Sequence, residues 1–398
     1  MNVLRKGGLV FVAMLFVVLF ATSCSKDEEN TTSQGDLPMN EAYITDSTYY
    51  SNKAFTAYNI VYPSKDPYGN DIMLSATITI GDGVKNNRYA KGLLLYNHHT
   101  IYRADQCPSR GNLAEQEYSA TLSLITITPD YYGFGVTEHC NQAYCLSQTN
   151  AQGAVDALLA AKEILAHMGY TWGDLLFNVG YSQGGQTTMG VVKLVAQSYP
   201  DIHITYSFAG AGAYDLPETY RQFITATIAG MPSTVVSVVL SYNEFKNLGI
   251  AREEMFIDPV LSHIDDWILS KRYTRQEIDA MIGSLSIDQY LTETMRDTTS
   301  SLSHTMMEAL DLDNICKGWT PRGDEKLLLF HSTKDITVPV ANTENLYSFL
   351  ISKGMPASNI ELDIEEIDAD GNTPAHEKAA GTFLVKTLLK VMEYLNAE

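Results

Sequence analysis

The segment Leu176-Phe177-Asn178-Val179-Gly180-Tyr181-Ser182-Gln183-Gly184-Gly185 constrains the fold of this chain more than any other. A short apolar run suited to a buried strand passes through G-x-S-x-G. It continues into Met189, Val192 and Val195, which share one side of a helix. Such a chain turns sharply from strand to helix, and the serine then sits strained at the tip with its hydroxyl exposed. Gly180 and Gly184 carry no side chain to collide across that turn, and Gly185 lets the helix approach the neighbouring strands. The helix N-terminus beneath the serine favours negative charge.

The surrounding pattern supplies a sheet for this turn to sit in. Thr56–Tyr62 and Ile72–Ile80 alternate as early strands, with Asp66-Pro67-Tyr68-Gly69-Asn70 as the turn between them. Gly92–Tyr96, Leu122–Thr128, Leu175–Val179, Ile202–Phe208, Lys326–Phe330 and Asn359–Ile367 read as buried strands. Helical patterns cover 151–168, 184–198 and 376–395. Strands alternating with helices predict an α/β chain, a mostly parallel sheet with helices on both faces. Together with the serine turn, this is the α/β-hydrolase fold.

Between Leu216 and Asp324 the rhythm breaks into helices, among them one opened by a Thr274/Glu277 capping box. About 110 residues is too long for a connection, so 216–324 is read as an inserted helical cap. The organisation expected is 1–23 signal, 24–49 tether, 50–215 and 325–398 core, and 216–324 cap.

A serine hydroxyl needs a base, and the base needs a carboxylate to fix its tautomer. In this fold the chain order is Ser, acid, His. Ser182 is therefore the expected nucleophile. His376 follows the last strand and opens the final helix, where the base belongs; His331, at the end of a strand, is next, and His304 falls in the cap. Asp335 lies in the loop after the strand Leu327–His331, at the sheet edge where ligands bind. Asp368, after the last strand, is the alternative acid. The expected oxyanion donors are the backbone N–H groups of Gln183 and of His99, in the loop Asn97-His98-His99-Thr100. The adjacent pair His98 and His99 invites a metal, but no third ligand stands at a useful spacing and no H-E-x-x-H occurs. No metal and no cofactor is expected.

Four segments in order then resemble the secretory lipase family, the fungal lipase A type of α/β-hydrolase. Gly180-Tyr181-Ser182-Gln183-Gly184 resembles its serine turn, and Pro129-Asp130-Tyr131-Tyr132-Gly133-Phe134-Gly135 its P-D-Y-x-G-x-G segment. His331 to Pro339 resembles its acid loop, and His99 to Ser109 its oxyanion loop, with His99 where the family often has Asp. The resemblance implies ester hydrolysis, the same triad and a helical lid between the sixth and seventh strands. It implies a small-molecule or lipid ester as substrate.

The N-terminus points to export. Arg5 and Lys6 precede 13 apolar residues, Leu9–Ala21, too short a run for a membrane span. Ala21-Thr22-Ser23-Cys24 resembles a bacterial lipobox, which implies lipidation of Cys24 and a membrane anchor without a spanning helix. The polar stretch that follows reads as a tether. The expected location is periplasmic or cell-surface, on the outer membrane. The net charge is −20, and −20 − 2 = −22 without residues 1–23, so the basic footprint of a nucleic-acid binder is missing. The other cysteines, Cys107, Cys140, Cys145 and Cys316, permit two disulfides in an exported chain. Cys107–Cys316 with Cys140–Cys145 is the expected pairing, since it would tie the cap to the oxyanion loop and close a short loop.

Other readings keep the fold. A peptidase would need an acidic clamp, for which Glu253 and Glu254 are candidates. A carbohydrate deacylase would use the same triad. A non-catalytic binding lipoprotein would need no triad at all.

Overall fold

The computed structural model describes residues 41–111, 122–226, 228–371 and 373–397. The expected signal segment, Cys24 and the tether up to residue 40 lie outside the described residues. The sheet begins earlier than the tether reading allows, because Tyr43–Tyr50 forms strand β1. This edge strand is polar, and only Tyr50 is fully buried, so no apolar pattern announces it.

Eight further strands are β2 (Phe55–Lys65), β3 (Asp71–Gly81), β4 (Tyr89–Asn97), β5 (Leu124–Pro129), β6 (Thr171–Tyr181), β7 (Tyr206–Gly210), β8 (Leu327–Ser332) and β9 (Ile360–Glu365). They form one sheet in the order β1-β2-β3-β5-β4-β6-β7-β8-β9. Strands β1, β2, β3 and β5 pair antiparallel, and every pairing from β5 to β9 is parallel. The turn between β2 and β3 forms because the Asp66 carboxylate accepts the N–H groups of Tyr68 and Asn70.

Strand periodicity sorts side chains onto the two faces. Leu93 and Leu95 pack with Ala154, Leu158 and Leu165 of helix α1 (Ser147–His167). Leu94 and Tyr96 pack instead with Phe177, Phe208 and Phe330, over which lies Phe383. Helix α2 (Gln183–Ser198) follows β6 and packs through Met189 and Val192 against β7 and β8.

The chain between β7 and β8 builds the helices α3 (Leu216–Ala226), α4 (Pro232–Phe245), α5 (Arg275–Ile282) and α6 (Ser301–Asp311). The insertion lies between the strands expected as sixth and seventh, which are β7 and β8 here because Tyr43–Tyr50 adds a first strand. The Thr274/Glu277 capping box forms, with Thr274 N–H donating to Glu277 at 2.8 Å. Two more helices, α7 (Ala341–Ser352) and α8 (Ala375–Ala397), complete the fold. No helix among the described residues is long and apolar enough to cross a membrane.

The expected disulfides are not formed: Cys107, Cys140, Cys145 and Cys316 are all free thiols. Cys107 packs with Ile101 and Phe134, whereas Cys316 packs against the separate cluster of Trp319 and Leu329. Cys140 and Cys145, close in sequence, each pack as apolar side chains against the main core cluster.

Candidate active site

The parallel strands end on one edge of the sheet, and the loops leaving β4, β6, β8 and β9 carry the expected site residues there. Register sets Asn97 opposite Gly180, and Tyr181 opposite Gly210. Ser182 comes next, at φ 59° and ψ −121°, a conformation that costs a non-glycine residue about 1–3 kcal/mol. Its N–H donates to Gly210 O at 2.8 Å and its carbonyl accepts Gln186 N–H at 3.0 Å, which holds the strain in place. The glycines are required by backbone approach. A methyl on Gly180 would lie 2.2 Å from Gly184 O, and one on Gly184 2.0 Å from Asn97 O. A methyl on Gly185 would lie 2.3 Å from Gly210 O.

Behind the serine is a buried network that sequence reasoning missed. Asn97 Nδ2 donates to Asn178 Oδ1 at 2.8 Å and to Thr188 Oγ1 at 2.9 Å. Asn178 Nδ2 donates in turn to Thr188 O and Ser207 Oγ, each at 3.1 Å. The signal was present: an asparagine inside the apolar run of β6 must find partners when buried.

His376 stands in the first turn of α8, with Nε2 2.8 Å from Ser182 Oγ and Nδ1 2.5 Å from Asp335 Oδ2. Its carbonyl accepts the Tyr181 hydroxyl at 2.7 Å. Asp335 Oδ1 accepts the N–H groups of Thr337 at 2.8 Å and Val338 at 2.9 Å. Burial favours the neutral carboxyl of Asp335, but His376 beside it and the contact with His331 outweigh that. They hold the group well below the usual carboxylate range.

The alternative residues take other places. His331 is fully buried, with Nδ1 2.7 Å from Thr343 Oγ1 and Nε2 2.8 Å from Val338 O, so it braces the acid loop. Asp368 is exposed. Glu253 and Glu254 are exposed on a short helix, where Glu254 accepts Ala251 N–H at 3.1 Å.

At the end of β4, His98 is buried and His99 is exposed. Burial lowers the pKa of His98 to about 4, so the ring is neutral and has one N–H to give. Nδ1 lies 2.6 Å from His99 O, and Nε2 lies 3.3 Å from Asp130 O. The Tyr131 hydroxyl donates to His98 O at 3.3 Å, and in a planar trans peptide His99 N–H then points the opposite way. Asp130 ties this region together by accepting Ser75 Oγ–H at 2.5 Å and Ser109 N–H at 2.9 Å. Gln183 opens α2, whose first-turn N–H groups have no intrahelical acceptor.

A small cavity runs from Ser182 under the inserted helices. Leu216 and Phe223 of α3, Val235 and Val238 of α4, and Val338 make its walls mainly apolar. The insertion is tied to the core by side chains at several points. Tyr102 Oη lies 2.8 Å from Ser237 Oγ, Tyr242 donates to Cys145 O at 3.0 Å, and Arg275 pairs with Glu377 beside His376. Lys271 donates to Glu138 O at 2.6 Å, and burial pulls its pKa down to about 8.

Solved structures share this fold. A candidate hydrolase from Legionella pneumophila is 23% identical at a TM-score of 0.73, over 85% of this chain and 89% of its own. The rice cell wall degrading esterase LipA from Xanthomonas oryzae is 18% identical at 0.70, over 88% of this chain and 95% of its own. Candida antarctica lipase A in its closed state is 13% identical at 0.60, over 83% and 80%. No curated protein sequence matches the chain. The secretory lipase model, in contrast, matches residues 123–371, which run from the start of β5 through the serine turn and the acid loop. More than half of the sequence is thereby accounted for, and this hydrolase belongs to the secretory lipase family.

Proposed function

We propose that this protein hydrolyses carboxylic esters through an acyl-enzyme on Ser182, with His376 as base and Asp335 as its orienting acid. The observation that carries the reading is the unbroken chain of contacts, Ser182 Oγ to His376 Nε2 at 2.8 Å and His376 Nδ1 to Asp335 Oδ2 at 2.5 Å. Ser182 Oγ attacks the ester carbonyl carbon while its proton passes to His376 Nε2. The backbone N–H groups of His99 and Gln183 receive the oxyanion, each such donor being worth roughly 3 kcal/mol in the transition state. As the tetrahedral intermediate collapses, His376 gives the proton to the departing alkoxide. Water then repeats the sequence on the acyl-enzyme and releases the acid. Asp335 keeps its negative charge throughout, in keeping with its depressed pKa.

The apolar cavity beside Ser182 supports esterase or lipase work over a peptidase, because Glu253 and Glu254 are not among the residues that line it. The test is hydrolysis of p-nitrophenyl esters from two to sixteen carbons, with Ser182→Ala alongside. The variant should lose about 10⁴-fold or more in kcat and all labelling by a fluorophosphonate. Ester turnover that survives Ser182→Ala would overturn the assignment.

We also propose export and lipid anchoring at Cys24, on the pattern Arg5-Lys6, Leu9–Ala21 and Ala21-Thr22-Ser23-Cys24. Mass spectrometry of the mature chain should find a lipidated N-terminal Cys24. An unmodified N-terminus at any other residue would reject it.

A further inference from the structure

Strand β8 runs Leu327-Leu328-Leu329-Phe330 and then breaks its apolar run with His331, which is fully buried. An apolar side chain would fill that place at less cost, because a buried imidazole must find partners for both ring nitrogens. His331 has them. Nδ1 lies 2.7 Å from Thr343 Oγ1 of α7, and Nε2 lies 2.8 Å from Val338 O. The same Nε2 lies 3.4 Å from Asp335 Oδ2, the oxygen that His376 Nδ1 contacts at 2.5 Å. A carbonyl and an ionised carboxylate only accept, so Nε2 carries a hydrogen. Val338 closes the figure, since its N–H donates to Asp335 Oδ1 at 2.9 Å. Asp335 is thus bounded by the N–H groups of Thr337 and Val338 on one oxygen and by two histidines on the other.

The two histidines share one carboxylate in different ways. The other ring nitrogen of His376 reaches Ser182, whereas that of His331 reaches Thr343. A carboxylate stabilises the imidazolium beside it through the charge on its oxygens. An N–H near Oδ2 draws on that charge, and the same N–H, by holding Val338 O, keeps the turn whose amides engage Oδ1. We infer that His331 is a positioning residue, which holds the Asp335 turn and, through the charge on Oδ2, sets the basicity of His376. The inference rests on the ester-hydrolase reading. Two other titratable side chains stand near His376. Tyr181, whose hydroxyl donates to His376 O at 2.7 Å, is kept protonated by burial, and Glu377 pairs with Arg275. The substitutions that test His331 leave both in place.

The test uses the full-length protein, with active sites counted by fluorophosphonate labelling of Ser182. It compares His331→Met, which fills the site without an N–H, with His331→Gln, which returns one near the Nε2 position. Per labelled site, His331→Met should lower kcat for p-nitrophenyl acetate by about tenfold at a KM within about twofold of wild type, as expected where only the transition state is affected. The acid limb of kcat/KM, which reports the base of the free enzyme, should move up by about half a pH unit. His331→Gln should recover most of the rate and the wild-type limb. Thr343→Val removes only the hydroxyl behind the ring, and it should move the limb the same way by a smaller step. The inference fails if His331→Met leaves the acid limb unmoved or lowers it, even at a reduced kcat, or if His331→Gln behaves as His331→Met does. Should His331→Met not fold, an unmoved limb in Thr343→Val overturns the inference. If the wild type hydrolyses no ester and Ser182 takes no fluorophosphonate, the ester-hydrolase reading fails instead.

Discussion

At the end of β6 there is no room for a methyl group: one on Gly184 would meet Asn97 O at 2.0 Å. Across the cavity, Val238 of α4 is half-buried and borders open space. The two regions border the same cavity as Ser182 and are held differently. The serine turn is clamped by backbone hydrogen bonds, by the register of β4, β6 and β7, and by the Asn97–Asn178–Thr188 network. The inserted helices are held by packing and by a handful of side-chain ties such as Tyr102–Ser237 and Arg275–Glu377. A backbone clamp fixes positions to a fraction of an ångström, which the proposed proton transfer across the 2.8 Å contact of Ser182 and His376 would demand. Side-chain packing can be exchanged with little effect on the fold, which suits a wall that only shapes the substrate.

The comparison breaks if a change on the core side has only a mild effect. Asp335→Asn is the sharpest probe, because it keeps shape and removes charge. It should lower kcat by about 10³–10⁴-fold, since an amide no longer enforces the histidine tautomer. It should also change acid stability. Asp335 has a folded pKa below its unfolded value of about 4, so its contribution is present above that value and is lost as pH falls through the folded pKa. Urea melts should show the wild type losing stability on acidification from about pH 4 downward more steeply than Asp335→Asn. Equal slopes would mean that the carboxylate is not held by its partners.

The same division explains what could be read from the residues. The serine turn, the Thr274/Glu277 box and the parallel strands are local patterns whose physics lies within ten residues, and they were legible. Chain order and strand ends likewise single out His376 and Asp335, whose side chains meet at 2.5 Å. Strand β1 was not legible, because a half-exposed edge strand such as Tyr43–Tyr50 needs no apolar period. The disulfide pairing was not, because whether Cys107 lies near Cys316 depends on how the inserted segment packs. The Gln183 side chain was hidden for the same reason: sequence shows an amide after Ser182, but not that it has no hydrogen-bond partner among the described residues.

The cap side can be probed without touching the clamp. Val238→Phe adds a ring to the cavity wall, so it should shorten what the cavity accepts at a stability cost of about 1–3 kcal/mol. With p-nitrophenyl esters as the acyl series, kcat/KM for the longer chains should drop by about tenfold relative to acetate, the scale of discrimination that a few carbons of pocket volume provide. Acetate itself should turn over within about threefold of wild type, since Asp335, His376 and Ser182 keep their contacts. A uniform fall across all chain lengths would show that α4 helps to position the triad, and the distinction between clamp and wall would then be lost. An unchanged acyl profile would move the alcohol part of the ester into this cavity, and a matching series of alkyl butanoates would then carry the shift.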